Sequence, residues 1–314
     1  MIPKWIGNAI RARYFIRENE QYSIKESNGE LAVIPVDYSN TGVTLKNTVW
    51  SYGLHQFIQI KHNLRITPES LTNSCVSNYA YIGKYGNKIF GLTGTLGSKA
   101  EQDLLSSIYN VDYARIPTFK SKIFDEYKGI AVPDEQWSFE IALMTMSTIR
   151  YSSKNIFSQV FKLFLIFLIF FSIPSDRAVL IICKTIADLL MLEEHFATFK
   201  NLLTDCQIRL KKFQDEECAD VTRDTVVPRD VIIATNIAGR GADFKTSKEL
   251  ESNGGLHVIV GFCPDNERVR EQAFFRTSRQ GNLGSAQLVV RQSEIKKLNL
   301  NTDHLEEIDF NEVL

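Results

Sequence analysis

The chain has 314 residues, of which 44% are hydrophobic and 23% are charged. This composition is typical of a globular protein with one large or two modest domains. Its 36 basic and 37 acidic side chains leave a net charge of −1, which excludes a global field that recruits nucleic acid or an acidic membrane. The five cysteines are widely spaced and form no CxxC pair, which argues against a disulfide framework or a zinc site and fits a reducing compartment.

The first residues are predicted to form a helix and then a hairpin. Apolar residues at helical spacing, interleaved with basic ones, predict an amphipathic helix over residues 3–17. An Arg-rich organellar presequence shows a similar pattern, but the early Glu18 and Glu20 favour an ordinary helix with a solvated basic face. The alternating segment 21–36, with a central Asn-Gly turn, predicts a β-hairpin.

The next stretch is predicted to be mainly helical, with one buried strand. The predicted elements are a helix within 51–64, a more polar helix over 69–86, a buried strand at Ile89–Leu92, the turn Thr93-Gly94-Thr95, a helix from Ser98 and an extended piece at 113–119.

The second half alternates apolar runs with amphipathic segments. Buried strands are predicted at 178–183, 230–235, 256–261 and 285–290, and helices at 134–150, 185–203 and 265–281. Buried strands that alternate with helices predict an α/β fold, with a parallel sheet flanked by helices. The acidic stretch 293–314 is predicted to be an appended helix or tail.

The run 160–174 is unusual because it is almost entirely Phe, Leu and Ile. Its uninterrupted apolar core is much shorter than the ~20 residues that a membrane-spanning helix needs. A buried core helix is therefore the default prediction. A second hypothesis is a translated intron, because T-rich and A-rich codons yield these residues; a transcript that contains codons 160–174 would refute it.

The first candidate site follows a predicted buried strand, in VIIATNIAGRGADF. Ligands of open α/β sheets bind at the carboxyl ends of the strands. A turn that contains Gly239 and Gly241 would let backbone N–H groups approach phosphate or ribose. Asp243 could accept hydrogen bonds from a hydroxyl, and Arg240 could bind a phosphate. A tight surface turn with a solvated Arg and Asp explains the same residues.

The second candidate site is Gln272, Arg276 and Arg279, which share one helix face if the helix is continuous. Two arginines beside a phosphate can stabilise the charge of a transferring phosphoryl group. The alternative is a solvated basic face that pairs with Glu267 and Glu271.

Three further features bear on function. His257 lies in an apolar run and is best explained as a core histidine. Thr93-Gly94-Thr95 could form a coupling loop or simply lead into a helix. The chain contains neither a GxxxxGK[ST] phosphate loop nor a credible acidic pair for magnesium, since Asp134 is better explained as a helix cap after Pro133.

Taken together, these motifs resemble the SecA family, the ATPase motor of bacterial and plastid protein translocation. The resemblance rests on SYGLHQFIQIKHNLRITPESLT, IFGLTGTLGSKAEQDLLSSIYNVDYARIPTF, VIIATNIAGRGADF and GGLHVIVG followed by EQAFFRTSRQGNLGSAQLVV. These segments occur in the family's order and cover roughly residues 20–120 and 175–292.

The resemblance implies a RecA-like second motor domain over residues 121–292, with 160–174 as an apolar insertion. Residues 51–120 would be the C-terminal part of the first motor domain. Residues 1–50 would be a remnant of the preprotein-binding insertion, so that the N-terminal part is α+β, and 293–314 would be a tail.

The resemblance also implies roles for single residues. Thr93, Gly94 and Thr95 would couple nucleotide state to domain motion. Gly239, Arg240, Gly241 and Asp243 would line an ATP cleft. Arg276 and Arg279 would act as arginine fingers, and Gln272 would position their segment.

The chain also departs from the family pattern. FFRTSRQGN stands where the family has RGRSGRQGD, and NTVW stands where it has GRRW. The phosphate loop and magnesium carboxylates of the family are absent, so the chain is expected to be inactive alone, although the family uses ATP and Mg²⁺. No metal ligands are predicted.

The implied partners are a polypeptide substrate and an N-terminal motor half, with no nucleic acid and at most peripheral membrane association. The implied location is cytoplasmic or peripheral to a membrane, with an organelle still possible. The alternatives are a non-catalytic SecA-like module that binds protein and a fragment of a nucleic-acid helicase.

Overall fold

The computed structural model describes residues 2–27, 29–38, 44–45, 47–69, 76–86, 88–95, 97–149, 176–205, 207–213, 224–235 and 243–297. The chain divides into two compact units, Met1–Phe119 and Lys120–Leu314. The apolar run 160–174 and most of the acidic stretch after residue 292 lie outside the described residues. Within them, no helix is long and apolar enough to cross a membrane.

The first unit contains short helices and one hairpin. Its elements are α1 (Ile2–Tyr14), β1 (Tyr22–Ser27), β2 (Glu30–Pro35), α2 (Leu54–Lys61), α3 (Asn78–Gly83) and α4 (Lys99–Tyr109). Strands β1 and β2 are antiparallel, as the Asn-Gly turn predicts. A small core around the fully buried Tyr22 and Ile58 joins the hairpin to α1 and α2. Lys61 Nζ donates to the carbonyls of Ala12 and Ile16 and so ties α2 to the end of α1.

One prediction for this unit is wrong, and another is correct only in part. Ile89–Leu92 is neither a strand nor buried, and the side chains of Phe90 and Leu92 are 95% and 97% exposed. A strand needs a hydrogen-bonded neighbour, and among the described residues of this unit the sheet has two strands, β1 and β2. The helix predicted over 69–86 is confined, where the structure describes it, to α3. The helix predicted from Ser98 is confirmed as α4, with Ser98 and Glu101 forming a capping box.

The second unit is built on a parallel sheet covered by helices. Its elements are β3 (Ile123–Val132), a 3-10 turn (Asp134–Gln136), α5 (Trp137–Thr148), β4 (Ala178–Cys183), α6 (Ile186–Thr198), α7 (Lys200–Asp205), β5 (Arg209–Phe213), β6 (Asp230–Thr235), α8 (Lys248–Ser252), β7 (Leu256–Val260), α9 (Glu267–Phe274), a 3-10 turn (Arg279–Gly281), β8 (Leu283–Arg291) and α10 (Gln292–Lys297).

The six strands pair in the order β3-β8-β7-β4-β6-β5, and every pair is parallel. Two hydrophobic clusters lie on either side of the sheet, one containing Leu180, Val258 and Phe274 and the other Trp137, Ile181 and Leu192. Successive residues of one strand enter different clusters because side chains alternate between the faces. The predicted α/β class, a parallel sheet flanked by helices, is confirmed.

The predicted strands are the four central ones, while both edge strands were missed. Strands β4 and β6 are buried along their whole length, as continuous apolar runs predict. Edge strand β5 reads RLKKF, and edge strand β3 contains Asp125, Glu126 and Lys128. Charged side chains are common on edge strands because one side of such a strand meets solvent.

Candidate functional site

The segment that carries the two arginines is a short helix followed by a tight turn. Asn266 caps the start of α9 by accepting from the Val269 amide at 3.0 Å. The helix ends at Phe274, and Ser278 and Gln280 have left-handed backbone angles, with φ of 54° and 57°. The continuous helix predicted over 265–281 is therefore wrong.

This break changes how the three candidate residues are related. Gln272 lies on α9, whereas Arg276 and Arg279 lie beyond its end. The spacing predicted that the three side chains share one face of a continuous helix. Because the helix ends at Phe274, they do not. The turn, rather than helical periodicity, determines where the guanidinium groups lie.

Two buried hydroxyl groups hold this turn against the sheet. Thr277 Oγ1 donates to the Leu256 carbonyl at 2.7 Å, and Ser278 Oγ donates to the Ile123 carbonyl at 2.7 Å. Leu256 and Ile123 are the first residues of β7 and β3. The arginine-bearing turn therefore lies at the amino-terminal edge of the parallel sheet.

A glycine on β8 makes room for the turn. A Cβ at Gly284 would lie 2.0 Å from Thr277 Oγ1 and 2.8 Å from the Ser278 nitrogen. These separations are far shorter than any normal contact, so a larger residue would displace the turn. Gly284 is thus a site-supporting position that motif reading alone did not identify.

Asp243 joins the two arginines to form one cluster. Its Oδ1 forms an ion pair with Arg279 Nη1, and Arg279 Nε donates to the Phe275 carbonyl at 3.0 Å. Arg276 is only 8% exposed. Burial and the nearby charge of Arg279 lower the pKa of Arg276 to about 10, while Asp243 opposes that shift. The structure therefore brings Asp243, Arg276 and Arg279 together.

The position of this cluster differs from the sequence-based expectation. Strand β6 ends at Thr235, and Asp243 follows after only seven residues. Its pairing with Arg279 places Asp243 near the amino-terminal edge of the sheet, not the carboxyl edge where open α/β sheets usually bind ligands. The other predicted cleft residues, Gly239, Arg240 and Gly241, lie outside the described residues.

The predicted coupling turn lies in the first unit. Thr93 Oγ1 donates to the Thr95 carbonyl at 2.9 Å and accepts from the Thr95 amide at 3.2 Å. These bonds make a local turn in which Gly94 is exposed. Such a turn is a defined conformation, and its coupling role remains a prediction.

His257 is a core residue, as predicted. It is 1% exposed, and its Nδ1 lies 2.7 Å from Ser285 Oγ. Burial, with a further contribution from the positive charge of Arg177, lowers its pKa to about 3. The imidazole is therefore neutral over the physiological pH range.

A second charged network lies at the carboxyl edge and was missed at the sequence level. Arg291 Nη2 pairs with Asp188 Oδ1 at 2.6 Å and stacks 3.8 Å above the Trp137 ring. Glu294 Oε2 accepts from the Cys263 amide at 3.1 Å, and burial raises the pKa of Glu294. These residues come from distant segments, so no local motif predicts them.

The capping role predicted for Asp134 is fulfilled at a different helix. Its Oδ1 accepts from the Ser293 amide at 3.1 Å, in the first turn of α10. Across the described residues there is no cluster of three or more His, Cys, Asp or Glu side chains that could hold a metal ion.

Comparison with known proteins identifies relatives over nearly the whole chain. The chain is 27% identical to the protein translocase subunit SecA of Clostridium botulinum over 289 residues, covering 92% of this chain and 30% of that protein. It is 26% identical to the protein translocase subunit SecA 2 of Nitrosospira multiformis (91% and 38%) and 28% identical to SecA of Dehalococcoides mccartyi (91% and 28%). No family model matches.

A search of solved structures gives a DEAD box protein from the hyperthermophile Methanococcus jannaschii, with 18% identity and a TM-score of 0.32, covering 64% of this chain and 45% of that one.

The six-stranded parallel sheet and the hydrophobic clusters on its two faces define an α/β protein. Over about nine tenths of its length, the chain is similar to the protein translocase subunit SecA of several bacteria. It spans only about a third of the length of these relatives.

Proposed function

We propose that residues 121–292 act as the second motor domain of a SecA-like protein translocation motor and form one wall of an ATP cleft. The observation that carries this proposal is the cluster of Asp243, Arg276 and Arg279, held by one turn at one edge of the sheet. The similarity to SecA, which covers 92% of the chain, supports the proposal.

The charges of this cluster suit a phosphate. Arg276 and Arg279 carry two positive charges against the one negative charge of Asp243, and the pKa of Arg276 is lowered partly by Arg279. An anion between the two guanidinium groups would relieve that repulsion, and guanidinium binds phosphate oxygens in a bidentate fashion. ATP would supply the phosphoryl group. Mg²⁺ would accompany the ATP, as the family resemblance implies.

Each side chain has a distinct proposed role. Arg279, which is partly exposed, would exchange its Asp243 partner for a γ-phosphate oxygen. Arg276 would contribute charge from its more buried position. Gln272 would position the turn from α9, and the backbone of 239–241 would approach the nucleotide.

We extend the proposal to the remaining parts of the chain on the basis of the same family resemblance. Residues 51–120 would be the end of a first motor domain, with Thr93-Gly94-Thr95 as its coupling turn, and residues 1–50 a remnant of the preprotein-binding insertion. The partners would be a polypeptide substrate and a first motor half. The location would be cytoplasmic or peripheral to a membrane.

An ATPase assay with complementation tests the proposal. The full chain alone should not turn over ATP. Addition of a separately produced first motor half from the Clostridium botulinum relative should give turnover, which Arg279→Ala should reduce by a factor of about 10³, typical of an arginine finger. Lys248→Ala, which removes an exposed positive charge from the same unit, should have no effect. Turnover that is insensitive to Arg279→Ala would refute the proposal.

A second candidate function is a non-catalytic module that binds protein. It is favoured by apolar side chains in the first unit that are almost fully exposed, including Phe90, Leu92 and Phe119. Co-purification of the two motor halves without turnover would favour this function. A helicase fragment is disfavoured by the net charge of −1, and salt-dependent RNA binding would revive it.

A further inference from the structure

A pocket of about 560 Å³ lies in the first unit, lined by α1 and by the loop that precedes α2. Its volume falls within the range of small-molecule sites. Asn8 Nδ2 donates to the Tyr52 carbonyl at 3.0 Å and fixes the loop against the helix. The Trp5 ring packs so closely on Gly53, which has φ of 76°, that a Cβ there would lie 2.8 Å from it. The pocket is therefore preformed.

One face of α1 supplies positive charge to this pocket. Lys4, Asn8 and Arg11 follow each other at helical spacing of four and three residues and all line the pocket. The Lys4 ammonium lies 4.6 Å from the centre of the Tyr52 ring, and Arg11 Nη1 lies 3.5 Å from Asn8 Oδ1. Among the described residues that line the pocket, none is acidic. Such a wall favours an anionic ligand.

Three aromatic residues also line the pocket. They are Tyr38, Trp50 and Tyr52, and a planar group that stacks on an aromatic side chain gains affinity. Lys4 and Arg11 are separated by seven residues, or about 10 Å along the helix axis. The pocket thus combines aromatic residues with two cationic residues on one face of α1.

We propose that this pocket binds a small anion with a planar ring, of about the size of a mononucleotide. Arg11 and Lys4 attract the anionic group, and the aromatic rings stack on the planar part. The proposal does not depend on the function proposed for the second unit, since every residue that carries it lies in the first.

Calorimetric titration of the full chain tests the proposal, with adenosine monophosphate, adenosine and inorganic phosphate as probes. Adenosine monophosphate should bind at least tenfold more tightly than either adenosine or phosphate, because only it offers both ring and charge. Arg11→Gln and Lys4→Gln should each weaken its binding about tenfold, and added salt should weaken it as well.

The matched control is Arg13→Gln, which removes the same charge from the same helix. Arg13 is exposed, lies two residues (about 200°) around the helix from Arg11 and does not line the pocket. Equal losses in Arg11→Gln and Arg13→Gln would overturn the proposal, as would phosphate alone binding as tightly as adenosine monophosphate. Binding that is lost in Arg279→Ala but kept in Arg11→Gln would place the nucleotide in the second unit and also overturn it.

Discussion

The ion pair between Asp243 and Arg279 lies at the protein surface, where its contribution to the stability of the fold is modest. The two side chains are 65% and 37% exposed, and exposed pairs contribute about 0–1 kcal/mol to stability. Asp243 therefore affects the charge of the cluster more than the stability of the fold. A substitution at Asp243 therefore tests its effect on the charge of the cluster separately from its effect on the stability of the fold.

We expect Asp243→Asn to lower the free energy of unfolding by less than about 1 kcal/mol and to raise the affinity for ATP severalfold at low salt. The variant leaves two guanidinium groups with no carboxylate between them, so the local potential becomes more positive. Urea unfolding and calorimetric titration check the two results. Asp265→Asn, which removes an exposed carboxylate of the same unit, is the control. Unchanged or weaker ATP binding in Asp243→Asn would contradict the role assigned to the cluster.

His257 makes the stability of the second unit depend on pH. Its pKa is lowered from 6.5 to about 3 in the folded state, first by burial and then by Arg177. Below about pH 6.5 the unfolded chain binds a proton that the folded protein does not, so the free energy of unfolding falls as the pH decreases from about 6.5 towards 3. His257→Gln cannot titrate, so it should lose this part of the pH dependence. Urea unfolding at pH 7 and pH 5 measures the pH dependence of the free energy of unfolding. An equal dependence in the wild-type protein and in His257→Gln would refute the prediction.

At the level of elements, Gly284 connects the sheet to the arginine-bearing turn. We expect Gly284→Ala to reduce complementation by the first motor half, because its Cβ would meet Thr277 Oγ1 at 2.0 Å and push the turn away from β7. The change touches neither arginine, so the loss would come from their displacement. Gly83→Ala, where a Cβ would meet nothing within 4 Å, is the control for loss of a glycine. Full activity in Gly284→Ala would show that the position of the turn is not critical.

The same elements show how far the sequence could predict the structure. Continuous apolar runs identify β4, β6, β7 and β8 because these strands are buried on both faces. The edge strands lack that signal. Local spacing also predicted a continuous helix through Arg279, whereas the hydroxyls of Thr277 and Ser278 hold a turn there through contacts with β7 and β3. Contacts between residues distant in sequence cannot be derived from local periodicity.

For the molecule as a whole, the hydrophobic cores follow the division into two units. The cluster around Ile58 contains only residues of the first unit, and those around Leu180 and Ile181 contain only residues of the second. Ile58 and Ile181 are both fully buried. Truncation of either to Ala should cost about 2–5 kcal/mol through lost burial and a residual cavity.

We expect each of these truncations to destabilise only its own unit, because no described hydrophobic cluster contains residues of both. Native-state hydrogen exchange, read by mass spectrometry, resolves the two units in the intact chain. Ile58→Ala should speed exchange in α2 and leave β4 and β6 unchanged, whereas Ile181→Ala should do the reverse. The paired variants serve as controls for each other, since both remove the same atoms. Faster exchange in both units of either variant would mean that the chain unfolds as one cooperative body, and the assignment of separate motor-domain pieces would then lose its physical support.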